Sequence, residues 1–370
     1  MRSIKLVFAS ALNSKRILKI NRKMNKEITR RNAIKTMGAI AVGTAALGAL
    51  NSCDENKAAA APSGAKEKKG AAAPAIPVFA GDSDKITREF FDSLLLETRY
   101  IDSDIPDTTF ELFGHKFATP IMTAALSHLF NNAPDGMNVY AAGAAKSNAV
   151  HWVGMGEYDE LEQIIATGAK SIRIIKPLED NKEIFRKIEH AAKSGCIAVG
   201  MDVDHSFSGD GHYDNVLGLQ MKSKSSAELR EFVQASPVPF IIKGIMSPSQ
   251  AEKCLKIGVA GIVVSHHHGM VNYSCPPLMV LPEIRKAVGD KYPVFVDCGF
   301  ESGMDVYKAL ALGATAVSVG RHLMPLLKDG AGAVSARIDA MTAELAGIMA
   351  RTGVRDLKHF DPTVIHKRNF

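Results

Sequence analysis

The chain has few aromatic residues and no stripe of cations with aromatics between them. Phe, Trp and Tyr make up 6% of its 370 residues, and tryptophan occurs once. Much of the net charge of +6 lies in the first 35 residues, where Glu27 is the only acid, and the remainder is close to neutral. Because nucleic-acid-binding proteins need a basic footprint, we expect no nucleic acid among the partners of this protein.

Cysteine is scarce, and the one apolar run near the N-terminus is short. The four cysteines after Cys53 form no CxxC pair, so we interpret them as mostly buried small apolar residues. The apolar run from Met37 to Leu50 is too short for a membrane span, which needs about 20 apolar residues.

The same run fits an export signal. Arg30 and Arg31 precede it, and Leu50-Asn51-Ser52-Cys53 closes it. This order is typical of a twin-arginine signal that ends in a lipobox, although a chance Arg pair before a helix would look similar. We therefore predict a signal at 1–53, a disordered tether at 54–83 and a folded domain at 84–370. The protein would then be exported to the cell envelope or periplasm, with a lipid anchor at Cys53.

From Pro120 onward, short apolar runs alternate with amphipathic helical patterns. Buried parallel strands separated by helices indicate an α/β fold. Eight units in roughly 250 residues predict a (β/α)8 TIM barrel, and an open doubly wound sheet is the structural alternative. The predicted strands are Ile121–Ala125, Val150–Val153, Ser171–Ile175, Ile197–Asp202, Phe240–Lys243, Gly261–Ser265, Val294–Asp297 and Ala316–Gly320.

The last two strands are followed by candidate phosphate-binding loops. Asp297, Gly299 and Gly303 follow strand 7, and Gly320-Arg321 follows strand 8. Loops at these places often bind phosphate in such barrels. Glycine lets backbone N–H groups approach an anion, and Arg321 adds a charged fork.

These residues carry a family resemblance. The run from Asp297 to Ala314 with Gly320-Arg321, together with Ile242-Lys243-Gly244, resembles the FMN-dependent 2-hydroxy-acid dehydrogenases and oxidases. The resemblance implies FMN as cofactor, with its phosphate at the loops after strands 7 and 8. It places Lys243 beside the flavin edge where negative charge develops on reduction, and Ser265 near the cofactor.

The resemblance also implies a histidine base for a CH–OH substrate, a small molecule whose electron acceptor is unknown. Strand 6 ends in Ser265-His266-His267-His268, and the ungapped match makes His267 the base, whereas one inserted residue would make it His268. Asp202, at the end of strand 4, would orient that histidine. Members of the family often form tetramers, so a homo-oligomer is possible.

Several departures from the family concern the substrate. The family's carboxylate-binding Arg falls on Met270 or Val271, and a Tyr falls near Leu178. A flavin-contacting Gln is replaced by Lys176, and a phosphate-side Arg by Glu301. Because a small carboxylate is usually held by Arg, the substrate should not be an ordinary small 2-hydroxy acid.

Three other readings stay open at this point. Histidines and carboxylates at the barrel mouth could bind zinc or iron, although adjacent histidines on a strand point to opposite faces. The chain could instead be a ligand-binding lipoprotein that has lost catalysis, or another phosphate-binding barrel such as a flavin isomerase.

Overall fold

The protein is described by a computed structural model that covers residues 81–370. The predicted signal, Cys53 and nearly all of the predicted tether lie outside these residues, so those predictions stay predictions. Within the described part, no helix combines the length and apolarity that a membrane crossing requires.

Eight parallel strands form one sheet, and neighbouring strands follow the order of a barrel. Backbone bonds close the barrel between the first two strands, where Thr123 N–H donates to the Val150 carbonyl and Gly154 N–H donates to the Leu126 carbonyl. The predicted (β/α)8 barrel is therefore confirmed. Its strands are β1 (Ile121–Thr123), β2 (His151–Val153), β3 (Ser171–Ile175), β4 (Ala198–Asp202), β5 (Phe240–Lys243), β6 (Gly261–Val264), β7 (Val294–Val296) and β8 (Ala316–Val319).

Nine α-helices of eight or more residues accompany these strands within residues 81–370. Five of them are followed by a glycine with a positive φ value, a conformation that glycine adopts readily, at Gly168, Gly195, Gly258, Gly289 and Gly313. The helices are α1 (Ser83–Asp92), α2 (Gly136–Lys146), α3 (Tyr158–Ala166), α4 (Asn181–Lys193), α5 (Ser226–Ala235), α6 (Pro248–Ile257), α7 (Pro277–Val288), α8 (Gly303–Ala311) and α9 (Ala331–Arg351).

Two hydrophobic clusters, one inside the barrel and one outside it, explain why the strand sequences are continuously apolar. Met122, Trp152, Ile174, Ile241 and Phe295 belong to the smaller cluster, which fills the barrel. The larger cluster joins the outer faces of the strands to the helices. Each strand is thus buried on both faces, as expected of a parallel sheet under helices.

Short elements complete the domain around the barrel. A strand at Leu94–Leu96 pairs with Ile365–Lys367 and so ties the C-terminal end to the segment after α1. Two small hairpins occur, at 110–117 and at 215–220. The second belongs to the loop after β4, which reaches the barrel mouth.

The interpretation of the four cysteines as mostly buried residues is only partly confirmed. Cys196 and Cys254 are buried, as expected, but Cys275 is exposed and Cys298 is half-buried. Cys298 follows β7 with a φ of +72°, so it takes part in the turn that begins the predicted phosphate loop.

Candidate active site

The predicted site residues gather at the C-terminal ends of the strands. Even-numbered side chains of β3 and β4, such as Ile174 and Ala198, pack in the barrel interior. Because strand side chains alternate, Lys176 and Asp202 project the same way at the barrel mouth. Lys243 does likewise at the end of β5, and it is only 5% exposed.

Asp202 is held by two lysines. Its carboxylate oxygens accept from Lys243 Nζ at 3.0 Å and from Lys176 Nζ at 2.6 Å. Burial alone would raise the pKa of Asp202, but the two ammonium groups hold it well below its usual range. Burial would in turn lower the pKa of Lys243, whereas Asp202, Asp297 and Asp204 raise it. The cluster therefore keeps a buried carboxylate ionised and a buried ammonium charged.

His267 lies against this cluster in a strained turn. β6 ends at Val264, and His267 adopts a φ of +48°, with its backbone N–H donating to Ser265 Oγ at 3.2 Å. Its Nδ1 is 3.1 Å from both carboxylate oxygens of Asp204 and 3.5 Å from Asp202 Oδ1. Lys243 Nζ is 3.0 Å from the same nitrogen.

The two carboxylates decide the charge preference of His267. Burial would lower the pKa of His267, but the bonds to Asp202 and Asp204 outweigh burial and the charge of Lys243, so the pKa is raised. With Nδ1 facing the carboxylates, Nε2 is the nitrogen available for proton transfer.

On its other side, His267 meets a second histidine that the sequence did not single out as a partner. His205 Nε2 is 3.1 Å from His267 Nε2, and the rings meet edge to face with centroids 4.3 Å apart. His205 Nδ1 faces Asp214 Oδ2 at 3.5 Å. The signal was present in Asp204-His205 after β4, but only the folded loop shows where these side chains point.

The neighbouring histidines have other positions. His268 Nδ1 is 3.5 Å from Asp84 Oδ2, and the His266 ring shares a hydrogen bond of 2.8 Å with Thr87. Burial lowers the pKa of both imidazoles. The structure thus brings His267, and not His268, to Asp202.

A cavity of about 550 Å³ opens beside this cluster. It is lined by Lys243, His267, Asp297 and the two loops after β7 and β8, including Gly299, Gly320 and Arg321. The volume is that of a typical cofactor or substrate pocket. Ser265 is buried beneath the His267 turn and is not among the lining residues.

Gly303 also lies outside this cavity. Its N–H donates to Glu344 Oε2 at 2.7 Å, and a Cβ added to it would lie 2.4 Å from the carbonyl oxygen of Met341 in α9. The structure therefore gives Gly303 a packing role between α8 and α9, which the motif alone could not distinguish from phosphate contact.

The cavity residues fit FMN chemically. Arg321 offers a guanidinium beside the glycine loops, as a phosphate requires, and Lys243 places a cation at the inner end, where charge develops on a reduced flavin. Gly320 lines the cavity, and a Cβ there would come within 3.1 Å of Ala124, so packing against the residue after β1 favours glycine at this position. Glu301 also lines the cavity. The position where the resemblance implies a second phosphate-binding Arg therefore carries an acid.

The N-terminal helix supplies cavity residues that sequence reasoning missed. Asp84 accepts from Arg321 Nη1 at 2.8 Å, and Arg88 binds Asp305 at 2.8 and 3.0 Å. Both Asp84 and Arg88 line the cavity. The helix could have been read from the Asp82 N-cap and the apolar residues Ile86 and Phe90.

A metal reading has a geometric basis here. Asp202, His205 and His267 offer ligand atoms that lie within 4.8 Å of one another. Lys243 and Lys176 already contact Asp202, and their charges oppose a divalent cation at the same carboxylate.

Comparison with known proteins agrees with the flavin reading. The family model described as FMN-dependent dehydrogenase matches residues 80–230 and 219–367. An FMN-dependent alpha-hydroxy acid dehydrogenase of Schizosaccharomyces pombe is 27% identical in an alignment of length 339 that covers 75% of this chain and 82% of the relative. Glycolate oxidase 3 of Arabidopsis thaliana is 26% identical in an alignment of length 317 that covers 75% of this chain and 86% of the relative.

The solved structures point the same way. A mandelate oxidase with 3,3-difluoro-2-hydroxy-3-phenylpropionic acid is 26% identical and superposes with a TM-score of 0.69 over 75% of this chain and 88% of its own. These relatives support neither the metal-dependent barrel nor the ligand-binding lipoprotein. The predicted family and cofactor are confirmed: the chain belongs to the FMN-dependent dehydrogenases, flavoenzymes that act on the CH–OH group of hydroxy acids.

Proposed function

We propose that this enzyme oxidises a CH–OH substrate at the barrel mouth with His267 as the base. The observation that carries the proposal is the contact of His267 Nδ1 with Asp204 and Asp202, beside Lys243 and at the wall of the cavity. A base must be oriented and must present one nitrogen that can take the proton. Of the three consecutive histidines, His267 is the one that lies against Asp202, Asp204 and Lys243, and its Nε2 faces a second imidazole instead of these charges.

Each residue of the cluster has a separate task. His267 Nε2 takes the substrate hydroxyl proton, and Asp202 with Asp204 stabilises the imidazolium that results. The cavity beside Lys243 would hold FMN, which would supply the acceptor for the hydride of the substrate carbon. Lys243 keeps a fixed positive charge in a buried place, where it stabilises negative charge more than it could in water.

The substrate we propose is not an ordinary small 2-hydroxy acid. Met270 and Val271 are 41% and 67% exposed, and neither they nor Leu178 offers a cation. Lys176 is a second cation at the cluster, since its Nζ is 2.6 Å from Asp202 while Lys243 Nζ is at 3.0 Å. An acidic group on the substrate would therefore meet a lysine that already has a carboxylate partner. This favours a larger alcohol, or an acid whose carboxylate lies farther from the reacting carbon.

A substrate panel tests this proposal. The FMN-loaded protein is mixed anaerobically with lactate, glycolate, mandelate and larger secondary alcohols, and bleaching of the oxidised flavin is followed. We expect slow bleaching by lactate and glycolate and faster bleaching by a bulkier alcohol. Efficient reduction by lactate would contradict the substrate class, and reduction that survives H267Q would contradict the base.

We further propose that the enzyme works outside the cytoplasm on a lipid anchor. Arg30-Arg31, the apolar run and Cys53 support this, and export of folded cargo suits a protein that carries FMN. Cell fractionation tests it: the wild type should appear with membranes, and C53A should appear soluble in the periplasm. Recovery of both proteins in the cytoplasm would contradict export.

A further inference from the structure

We propose that His205 and Asp214 form a proton relay that carries the substrate proton from His267 to solvent. The inference rests on the proposed role of His267 as base. It assigns a function to His205 and Asp214, two residues of the loop after β4 that the proposed reaction does not otherwise use.

The geometry provides a continuous path. His267 Nε2, the nitrogen that takes the hydroxyl proton, is 3.1 Å from His205 Nε2. The far nitrogen of His205 is 3.5 Å from Asp214 Oδ2. The side chains of His267, His205 and Asp214 are 24%, 20% and 23% exposed, whereas Asp202 is 5% exposed, so the path lies along the solvent-accessible side of the buried cluster.

The loop holds this path in place. Asn215 N–H donates to Asp214 Oδ1 at 2.8 Å, which leaves Oδ2 for His205. Asp214 N–H donates to the Ser206 carbonyl at 3.2 Å, and the Phe207 and Tyr213 rings stack with centroids 5.3 Å apart. The positions of His205 and Asp214 are thus set by backbone bonds and ring packing within one loop.

One set of hydrogen-bond directions allows the transfer, with Lys243 donating to Asp202 and only lying beside His267 Nδ1. A protonated His267 donates from Nδ1 to Asp204 and from Nε2 to His205. A neutral His205 accepts at Nε2 and donates from Nδ1 to Asp214, and burial together with Lys176 and His267 lowers the pKa of His205, which favours the neutral form. The charged groups that face the two imidazoles are Asp202, Asp204, Asp214, Lys176, Lys243 and, more distantly, His268.

The transfer conserves protons at each atom. The Nε2–H bond of His267 breaks and an Nε2–H bond forms on His205, while the Nδ1–H bond of His205 breaks and its proton passes to Asp214 Oδ2. His267 is then neutral and able to act as base again. Asp214 releases its proton to water, and His205 returns to the starting tautomer by exchange with water at its exposed edge.

The test measures proton exchange in the full chain loaded with FMN. With labelled histidine, the exchange of the His267 ring N–H with water is followed by NMR in the wild type, H205Q and D214N. We expect exchange to slow by roughly tenfold or more in H205Q, because a positioned proton-transfer group contributes about 10²–10⁴-fold. Added imidazole should restore it. The matched controls are H212Q and D210N, which alter exposed residues of the same loop and should exchange like the wild type.

A second readout separates a relay from a structural role. In the substrate panel, H205Q should keep its FMN affinity and regain turnover with imidazole. Unchanged exchange in H205Q, or slowing that imidazole does not restore, would overturn the relay. Failure of the proposed function would appear elsewhere, as flavin reduction that is insensitive to H267Q.

Discussion

At the scale of the residue, the active site is a balance of buried charges. Lys176 and Lys243 face Asp202, and Asp204 adds a second carboxylate that reaches His267. Removing one partner of such a buried group leaves the other uncompensated, which costs far more than the net stabilisation of the pair. Single substitutions here should therefore change chemistry and stability together, and conservative variants are the informative ones.

The assignment of the base gives the first prediction. H267Q should lower the rate of flavin reduction by about 10²–10⁴-fold, since Gln cannot take a proton. H268Q is the matched control, because His268 contacts Asp84 and not Asp202, and it should retain most of the rate. Anaerobic bleaching of bound FMN measures both variants, and a larger loss in H268Q would transfer the role to His268.

The pH dependence gives the second prediction. His267 must be neutral to accept the hydroxyl proton, and its pKa is raised by Asp202 and Asp204 against burial. The reduction rate should therefore rise with pH through an inflection above about 6.5, the ordinary value for histidine. D204N removes one of the raising carboxylates and should move the inflection to lower pH. A shift to higher pH in D204N would be inconsistent with the proposed contact.

The sequence predicted the identities of these residues better than their pairings. Lys243, Asp202 and His267 follow from strand ends and a family motif, because parallel strands bring their carboxyl ends to one face. The contact of His205 with His267 depends on a loop of irregular backbone, and periodicity carries no information about such loops. Gly303 shows a different limit of the sequence. A glycine in this motif is compatible with phosphate contact and with helix packing, and the sequence does not distinguish the two roles.

At the scale of the element, α1 lies outside the barrel and contacts the residues around the cavity. Thr87 contacts His266, Arg88 contacts Asp305, and Phe91 meets Phe300 edge to face. The repeat pattern did not include α1 because it precedes the first barrel strand. α2 is hard to predict from the sequence for another reason: its Gly136 and Gly143 are poor helix formers, and close contacts with Leu129 and Val334 require glycine at these positions.

The third prediction concerns the junction of α8 with α9. G303A places a Cβ 2.4 Å from the Met341 carbonyl oxygen, so it should destabilise the protein by about 1–3 kcal/mol, as overpacking does. G332A, in the first turn of α9, meets no atom within 4 Å and should leave stability equal or slightly higher. Urea unfolding compares the two, and equal stability would argue against the packing role of Gly303.

The fourth prediction tests the link between α1 and the cavity. R88M removes the guanidinium that joins α1 to Asp305 and should weaken FMN binding severalfold by loosening the loop after β7. R186M is a suitable control, because Arg186 is an exposed residue of α4. FMN fluorescence quenching measures affinity, and unchanged affinity in R88M would mean that α1 does not support the site.

At the scale of the whole molecule, the barrel collects distant residues at one mouth. The fold was predictable because eight apolar runs and their glycine-ended helices agree at every level, and the cofactor was predictable because the loops after β7 and β8 carry a long motif. The substrate was not, because the positions that would bind its acidic group carry Met270, Val271 and Leu178, which indicate only what is absent.

The most direct measurement is a titration of the full chain with FMN, in the wild type and in R321M. Loss of a charged hydrogen bond to phosphate should cost about 1.5–3 kcal/mol, which is roughly a tenfold to hundredfold weaker affinity. We predict one FMN bound per chain and this weakening in R321M. Equal affinity in R321M, or no uptake of FMN by the wild type, would contradict the assignment of this cavity to the cofactor.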